Sequence, residues 1–349
     1  MSKKTFMAAI IISAILLSLV AGMQSVEVVK AISKTIIVPN DYLSIQDAID
    51  NAVEGDTIYV KKGTYVENPV VNKSVSLVGE DRDATVIDVT AGLKVERDNV
   101  TITGFTIYDG WQGISLSANY CNISGNKITN AQYGIMLFGC ENNSITGNVF
   151  KSIEPSAAIR LTNSSNNLVN NNYIDSCTEG IQIWQNSANN MVTENTIINC
   201  QDHAIRFQYS NDNTIIQNNI TRSGCGTSIY GSNRNIISNN NYFYNTVQFS
   251  ANEDYYLTWG GNVSVNTING NYWSDYNGID TNGDGIGDMP YIIDANNKDN
   301  YPLMKPVSTI NPSIPTPSPS VPEFPSWIVI PLVLAATMRI IYKRKGNRL

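Results

Sequence analysis

The sequence predicts an all-β fold, a parallel β-helix of about seven to nine coils with roughly 21 to 25 residues in each coil. Three features of the 349-residue chain support this prediction. A six-residue pattern, Asn-x-Ile/Val-x-x-Asn, recurs along the middle of the chain. A second set of apolar residues recurs in phase with it. Gly, Asn or Ser separate the short strand-like segments between them.

The repeat is most regular between residues 143 and 240. Its copies are NSITGN (143–148), NLVNNN (167–172), NMVTEN (190–195), NTIIQN (213–218) and NIISNN (235–240). The second register starts short alternating strands at Ile114, Ile135, Ile159, Ile181, Ile205 and Ile229. Each unit is too short for a helix plus a strand, and no hairpin signal joins the strands. One unit therefore forms one coil, and successive coils stack about 4.8 Å apart.

Asparagine is a poor residue for the middle of a β-strand, so its recurrence needs a structural reason. In a stack of coils, one side chain of each coil lies directly above its counterpart in the coil below. A buried column of asparagines can donate and accept amide hydrogen bonds along the axis while it bonds the turn backbone. Asparagine also tolerates the left-handed conformation that tight corners need. The stretch NNMVTENTIINC (189–200) is therefore predicted to mark corners of the coil.

The open ends of a β-stack need caps, and the first is predicted in SIQDAIDNAVEGD. Its apolar residues fall on one helical face, at Ile45, Ala48, Ile49, Ala52 and Val53. Ser44 and Asp47 resemble a capping box at the start of this helix. Two strand-rich early coils follow, in DTIYVKKGTYVENPVV and SVSLVGED.

The helix and the segments GDTIYV, KGTY and SLVGED, in this order, resemble the N-terminus of right-handed β-helix proteins of the pectin-lyase type. The coils beyond them resemble the NosD-like or carbohydrate-binding (CASH) class of surface β-helix proteins. The resemblance covers roughly residues 35–305 and implies a right-handed coil. It leaves the function open, because lyases, hydrolases, epimerases and binding proteins share this fold.

The segment boundaries follow from composition. We predict a signal peptide (1–31), a cap helix with the first coils (32–90), the main repeats (91–250), a C-terminal cap (251–304), a Pro/Ser-rich linker (305–326), and a transmembrane segment with a basic tail (327–349). An uncleaved N-terminal anchor is the alternative to a signal peptide. The PEF motif, followed by an apolar span and a basic tail, resembles archaeal C-terminal sorting signals. That resemblance implies removal of the tail by a sortase-like transpeptidase.

The charge of the chain limits its partners. The formal net charge is −7, and basic residues cluster at both ends, so the middle is more acidic than this value indicates. Such a surface repels a phosphate backbone, and we expect no nucleic-acid partner. The chain has a single histidine, His203, which excludes a mechanism that needs several imidazoles.

One outer sheet face carries the candidate binding residues, because the residue after each isoleucine of the second register points outward. This rule gives one column of Ser115, Met136, Arg160, Gln182, Arg206 and Tyr230, and a second of Phe138, Thr162, Trp184 and Gln208. We predict carbohydrate binding by Arg160, Gln182, Trp184, Arg206 and Gln208. A sugar ring would stack on Trp184, and arginine would pair with a uronate. An ordinary solvated face with one exposed Trp is the alternative.

Catalytic candidates lie at the turn before the same strands: Glu179, Asp202, His203 and, within the strand, Arg206. Glycoside hydrolysis needs two carboxylates about 5–9 Å apart, which Glu179 and Asp202 provide only if their turns have matching shapes. No paired-Asp signature resembles the polygalacturonases, and no lyase Arg/Asp set is evident. A non-catalytic role is therefore favoured over a polysaccharide lyase, hydrolase or epimerase.

DTNGDGIGD (280–288) matches the first half of a calcium loop. The predicted ligands, at loop positions 1, 3, 5, 7 and 9, are Asp280, Asn282, Asp284, Ile286 and Asp288. Tyr291 occupies the twelfth position, where an EF-hand needs a bidentate Glu. We predict a structural Ca²⁺ that braces the C-terminal cap, with a solvated turn as the alternative.

Copper enters through the resemblance alone, since the NosD name is tied to copper-site maturation. Cu(I) prefers clustered Met or Cys. Cys177, Cys200 and Cys225 follow the repeat and form the one such cluster, so copper handling ranks third among the predicted functions. These thiols are predicted to be small core residues, with a single disulfide left open.

The sequence as a whole predicts an exported protein, held at the cell surface by its C-terminal span. Its predicted role is to bind a polysaccharide or surface glycan, or to contribute to the cell envelope. The polysaccharide-modifying enzymes are the alternative, and copper handling is the third hypothesis.

Overall fold

The computed structural model describes residues 33–251 and 265–308. Within them the chain forms a right-handed parallel β-helix of about ten coils with three long sheets. The fold-class prediction is confirmed, and the coil count is slightly higher than the predicted seven to nine. One further coil, with the strands Thr267–Asn269 and Tyr272–Trp273, lies in the segment predicted as the C-terminal cap. The predicted signal peptide and transmembrane segment, and the linker after residue 308, lie outside the described residues.

Each coil passes through sheets 1, 2 and 3 in turn, and every strand of these sheets pairs in parallel with the coils next to it. Sheet 1 contains Thr35–Val38, Thr57–Val60, Ser76–Gly79, Thr101–Thr103, Asn122–Ser124, Ser144–Thr146, Leu168–Asn170, Met191–Thr193, Thr214–Ile216, Ile236–Ser238 and Thr267–Asn269. Sheet 2 contains Gly63–Val66, Thr85–Asp88, Thr106–Tyr108, Lys127–Thr129, Val149–Lys151, Tyr173–Asp175, Thr196–Ile198, Asn219–Thr221, Asn241–Phe243 and Tyr272–Trp273.

Sheet 3 contains Val70–Val71, Leu93–Val95, Gln112–Leu116, Tyr133–Phe138, Ala157–Thr162, Glu179–Trp184, His203–Gln208, Cys225–Tyr230 and Val247–Ala251. It has the longest strands, up to six residues. The inward side chains of all three sheets form one continuous apolar core. The outer face of sheet 3 therefore offers the widest regular surface of the β-helix.

Two asparagine columns run along the corners of the coils. The first contains Asn126, Asn148, Asn172, Asn195, Asn218, Asn240 and Asn271. The second contains Asn143, Asn167, Asn190, Asn213, Asn235 and Asn266. Each side-chain amide except those of the last members, Asn271 and Asn266, donates to the asparagine oxygen of the next coil, and all but Asn266 are buried. The predicted asparagine stack is confirmed.

Asn190 shows how the column satisfies its polar groups. Its Nδ2 donates to Asn213 Oδ1 at 3.0 Å and to the Ser164 carbonyl at 2.9 Å. Its Oδ1 accepts the Asn167 backbone N–H at 2.9 Å. The exposed Asn189 before it has a φ of 55° and forms the left-handed corner. Adjacent asparagines thus have different roles, one in the turn and one in the column.

The N-terminal cap is the short helix Ile45–Asn51. Its N-cap Ser44 accepts the Asp47 backbone N–H at 3.0 Å, as the sequence predicts. The Glu67 carboxylate accepts the next two free N–H groups, at Ile45 and Gln46. The helix is shorter than the predicted apolar face, because it ends before Val53, which is 47% exposed.

The C-terminal cap closes the other end with an aromatic stack and a buried carboxylate. The rings of Tyr242, Trp273 and Tyr291 stack with centroids 4.4 Å apart at each step. Asp299 is fully buried in the antiparallel pair Tyr291–Ile292 and Lys298–Asp299. It accepts the Asn271 backbone N–H at 2.8 Å and so terminates the first asparagine column. In the described residues, no helix has the length and apolar character needed to cross a membrane.

Candidate functional site

The predicted carbohydrate-binding residues lie together on the outer face of sheet 3. Arg160, Gln182 and Arg206 are in register on three adjacent strands, and Trp184 pairs with Gln208 in the neighbouring column. These five residues are named here the sheet 3 strip. They are the strip that the alternation rule predicts.

The prediction of Tyr230 in the arginine column is wrong. Arg206 pairs with Ser228, and Tyr230 pairs with Gln208 instead. The reason is that Thr227 takes the place of the register isoleucine in this coil. Ile229 lies two residues further along the strand, so counting from isoleucine shifts the column.

Trp184 organises the strip. The Arg160 guanidinium lies 4.8 Å from the Trp184 ring centroid, and the Arg206 guanidinium lies 5.6 Å from it. The two arginines come from the coils on either side of the tryptophan, so its ring holds both cations by cation–π attraction. Arg160 Nη1 also donates a hydrogen bond to the Tyr133 hydroxyl at 3.1 Å. The strip therefore presents two planar guanidinium groups that are held in fixed positions.

Glu179 is the anionic centre beside the strip and is only 6% exposed. Its Oε1 accepts from Arg206 Nη1 at 3.0 Å and lies 3.7 Å from His203 Nδ1. Its Oε2 accepts the side-chain amide of Gln182. A glycine is required next to it, because a Cβ at Gly180 would lie 2.3 Å from the Ala204 carbonyl oxygen. Close contact between coils thus brings Glu179 and His203 together.

The pKa of Glu179 is set by opposing effects. Burial would raise the pKa, but hydrogen bonds from His203 and Gln182 and the charge of Arg206 outweigh it and hold the pKa below its usual value. Glu179 therefore stays ionised at neutral pH. An ionised carboxylate with these partners positions Arg206 and Gln182 and is poorly suited to act as a general acid.

The second carboxylate of the catalytic hypothesis lies elsewhere. Asp202 is exposed, and in the described part of the chain no hydrogen bond or ion pair joins its carboxylate to this cluster. Its backbone N–H donates to the carbonyl of Thr178, the residue before Glu179 in the preceding coil. The hypothesis that Glu179 and Asp202 act as a pair requires turns of matching shape, and it stays a prediction. His203 is the neighbour of Glu179.

Within the described residues, two amide oxygens on the strip have no hydrogen-bond partner. These are Gln182 Oε1 and Gln208 Oε1, both buried from solvent. The Gln182 amide nitrogen is held by Glu179, which fixes the direction of the opposite oxygen. A buried acceptor without a partner is costly, and it would reach a ligand hydroxyl only if its side chain turned outward.

Exposed aromatic residues extend the strip in both directions. Trp111 is 55% exposed and its ring centroid lies 6.0 Å from that of Tyr133. On the other side, the Tyr209 and Tyr230 rings lie 4.9 Å apart. The register isoleucines did not reveal Trp111 and Tyr209, because both lie outside the alternating part of their strands. Their aromatic character in an outer turn was the available signal.

The calcium-like loop is organised by its own backbone. Asp280 accepts N–H groups from Gly283 at 2.7 Å and Gly285 at 2.9 Å, and Asp288 accepts from Thr281 at 3.0 Å. Across residues 33–251 and 265–308, no three His, Cys, Asp or Glu side chains come close enough to hold one metal ion. Calcium loops also use amide and carbonyl oxygens, here those of Asn282 and Ile286. Calcium binding by this loop stays a prediction.

Fold and strip together define a parallel β-helix protein with a charged aromatic face on one sheet. A family model described as periplasmic copper-binding protein (NosD) matches residues 49–278. The chain therefore belongs to the NosD family. The resemblance seen in its coils is confirmed.

Two kinds of relatives were found beyond the family model. A cell surface glycoprotein of Methanothermus fervidus is 35% identical over 97 residues, which are 26% of this chain and 16% of that protein. The chain thus matches a small part of that relative's length.

Among solved structures, a family 28 exopolygalacturonase of Yersinia enterocolitica has a TM-score of 0.57 at 14% identity, covering 71% of this chain and 67% of that chain. A mannuronic acid specific family 6 lyase from human gut microbiota has a TM-score of 0.54 at 17% identity, covering 68% and 64%. These likenesses concern the fold alone.

The residues do not fit the copper of the family description. All five cysteines are buried and none forms a disulfide. Burial raises the pKa of the Cys121 thiol to about 11 and that of Cys177 to about 12, which disfavours the thiolate that copper needs. Cys200 lies over Cys177, but its next neighbour is Ser223 and not Cys225, so the predicted three-cysteine column is wrong.

Proposed function

We propose that this protein is exported, displayed at the cell surface, and binds an acidic polysaccharide along the sheet 3 strip without transforming it. The observation that carries the proposal is the position of Trp184 between the guanidinium groups of Arg160 and Arg206. Fixed cationic planes beside amide acceptors suit the carboxylates and hydroxyls of a uronate chain. The glycan contacts the guanidinium groups, since these occupy the neighbourhood of the indole ring.

The two arginines have different roles in this proposal. Arg206 is neutralised by Glu179, whereas no ion pair involving Arg160 occurs among the described residues. Arg160 is therefore the cation available to a carboxylate of the glycan. Gln182 and Gln208 supply acceptors for sugar hydroxyls once their side chains turn outward, because their oxygens have no hydrogen-bond partner within the described residues. Because the middle of the chain is acidic, this local cation also selects where an anionic polymer can bind.

Surface location is supported by the relatives. The M. fervidus relative is named a cell surface glycoprotein, and the family model is described as periplasmic. Both names concern proteins outside the cytoplasm. Anchoring by residues 327–349, or their removal at the sorting motif, belongs to the same proposal.

Affinity electrophoresis tests the binding function. The protein is run through gels that contain polyuronates or neutral glycans, alongside Arg160→Gln and the control Lys151→Gln, which removes an exposed cation from the outer face of sheet 2. We expect a polyuronate to retard the protein, Arg160→Gln to weaken retardation about tenfold or more, and Lys151→Gln to leave it unchanged. Equal effects of both substitutions, or no retardation by any glycan, would overturn the proposal.

The alternative is a polysaccharide lyase, hydrolase or epimerase. The observation that favours it is the contact of Glu179 with His203 and Arg206, a base beside a cation. A degradation screen of polyuronates and neutral glycans, with and without Ca²⁺, separates the two functions. Turnover that is lost in His203→Gln would establish the enzyme in place of the binding protein.

A further inference from the structure

A concave surface lies on the outer face of sheet 2, remote from the sheet 3 strip. It is a groove of about 460 Å³. Its floor includes Tyr173, Thr196, Ile198, Asn219, Asn241 and Phe243, which come from four successive coils. Pro306, Val307 and Ser308 line the same groove, so the chain itself enters it.

The side chain of Asn241 binds the backbone of the entering chain through a pair of hydrogen bonds, as a neighbouring strand would. Its Nδ2 donates to the Val307 carbonyl at 3.0 Å, and its Oδ1 accepts the Val307 backbone N–H at 2.8 Å. Its Nδ2 also donates to Asn219 Oδ1 at 2.7 Å, in the preceding coil. Asn241 is 1% exposed, and the paired contact therefore fixes Val307 on the sheet surface.

The chain enters the groove with a defined direction. Leu303 bridges to Tyr272, in the last coil of sheet 2. Val307 lies at Asn241, one coil nearer the N-terminal end. The described chain thus runs backward along the coils, and the groove continues in that direction as far as Tyr173.

We propose that residues 309–313 occupy this groove and fasten the Pro/Ser-rich linker to the outer face of sheet 2. From Asn241 to Tyr173 is three coil steps, about 14 Å. Five residues in the polyproline II conformation span about 15 Å, so the segment TINPS matches the groove in length. Ile310 and Pro312 supply apolar groups, and Tyr173, Ile198 and Phe243 form the aromatic and aliphatic surface that proline-rich segments prefer.

The proposal sets where the linker leaves the β-helix. The linker departs from the side of the β-helix, near the coil of Tyr173, and not from its C-terminal end. Sheet 2 then faces the attachment point of the chain. The linker and the sheet 3 strip then lie on different sheets.

Disulfide cross-linking of the full-length chain in native membranes tests the proposal. Ile310 lies three residues after Val307, about 9 Å along an extended chain, which is the level of Thr196 two coils from Asn241. The test protein carries Thr196→Cys with Ile310→Cys. The control carries Thr214→Cys with Ile310→Cys, because Thr214 lies in the neighbouring coil but on sheet 1.

We expect mild oxidation to link residues 196 and 310 within one chain in most molecules, and to link 214 and 310 in few. Mass spectrometry of non-reduced peptides identifies the pairs. The native thiols are buried, so they compete little. Equal linkage in both proteins, or no linkage in either, would overturn the proposal. A 196–310 link between two chains would assign the groove to a second copy and also overturn it.

Discussion

The asparagine columns and the sheet 3 strip share the same coils but follow opposite rules. Each asparagine column repeats one residue type through at least six coils, as in the column that contains Asn190. The outward column that contains the two arginines of the strip changes at every coil, from Arg160 to Gln182 to Arg206 to Ser228. Stacking demands the same amide at each level, whereas an outer face makes no such demand. Repetition therefore indicates architecture, and its interruption indicates where a ligand can act.

Hydrogen-bond satisfaction separates the two regions in the same way. Asn190 uses both its donor and its acceptor within the column. On the strip, Gln182 and Gln208 each retain a buried oxygen without a partner. The hydrogen-bonding groups of Asn190 are satisfied within the column, whereas two amide oxygens of the strip are not satisfied within the described residues.

The largest expected effect is on stability, from Asn190→Ala. The substitution removes the acceptor of two Asn167 N–H groups and the donor to the Ser164 carbonyl, all buried. We expect a loss of about 3 to 5 kcal/mol in the free energy of unfolding, measured with urea. The adjacent Asn189→Gly is the control and should cost about 0.5 kcal/mol or less, because glycine accepts the left-handed corner. Similar losses for both variants would contradict the division of roles.

The coil-level fold could be predicted because stacking imprints a period on the sequence. The asparagine columns and the outward column from Arg160 to Arg206 followed from that period, and the capping helix followed from its own apolar face. The prediction of individual outward positions was wrong where one residue changes the register of a strand. Thr227 replaces an isoleucine and displaces Tyr230, and His203, one residue after Asp202, is the residue that contacts Glu179. A period of about 22 residues cannot resolve such a shift.

The side-chain contacts within the strip also could not be predicted from the sequence. Alternation placed Trp184 on the outer face, but it carries no information on the rotamer of the side chain. The position of both guanidinium groups beside the indole ring depends on rotamers, which depend on neighbours in three coils. Sequence patterns therefore identified the members of the strip and left their contacts undetermined.

The next largest effect is on binding, from Trp184→Ala. Loss of the indole ring frees both guanidinium groups, so affinity for a polyuronate should fall about 30- to 100-fold, as is usual for a central tryptophan. Affinity electrophoresis measures the change. Phe138→Ala is the control, since Phe138 is an exposed aromatic of the same column two coils away and holds neither arginine. A loss with Phe138→Ala that equals the loss with Trp184→Ala would refute the role of the cation–π pair.

A smaller effect is the dependence of stability on Glu179. Its pKa is lowered in the folded protein, so its ionised form stabilises the fold above the unfolded pKa of about 4.3. This contribution is lost as the pH falls through the lower native value. We expect Glu179→Gln to cost about 1 to 2 kcal/mol at pH 7, from the charged hydrogen bond to Arg206. The cost should shrink at pH 3, and a cost that is independent of pH would contradict the ionised state.

Calcium should have a still smaller effect, confined to the C-terminal cap. At ten times its Kd, an ion that binds only the folded state adds about 1.4 kcal/mol and raises Tm by a few degrees. Calorimetry with Ca²⁺ and with a chelator measures this shift. Asp284→Asn weakens the proposed ligand set while its side-chain oxygen can still accept the Ile286 N–H. A shift that persists in Asp284→Asn, or none in the native protein, would exclude calcium from this loop.

The smallest effect is expected at a cysteine that the column already replaces by serine. Cys140 lies in a corner column with Ser164, Ser187 and Ser210, and the Ser164 hydroxyl donates to the carbonyl two residues before it. A serine at 140 can donate in the same way, so Cys140→Ser should change the free energy of unfolding by about 0.5 kcal/mol or less. Ser164→Ala is the control, because it leaves the buried Cys140 N–H without an acceptor and should cost about 1 to 2 kcal/mol. If Cys140→Ser cost as much as Ser164→Ala, the thiol would have a role that its column does not explain.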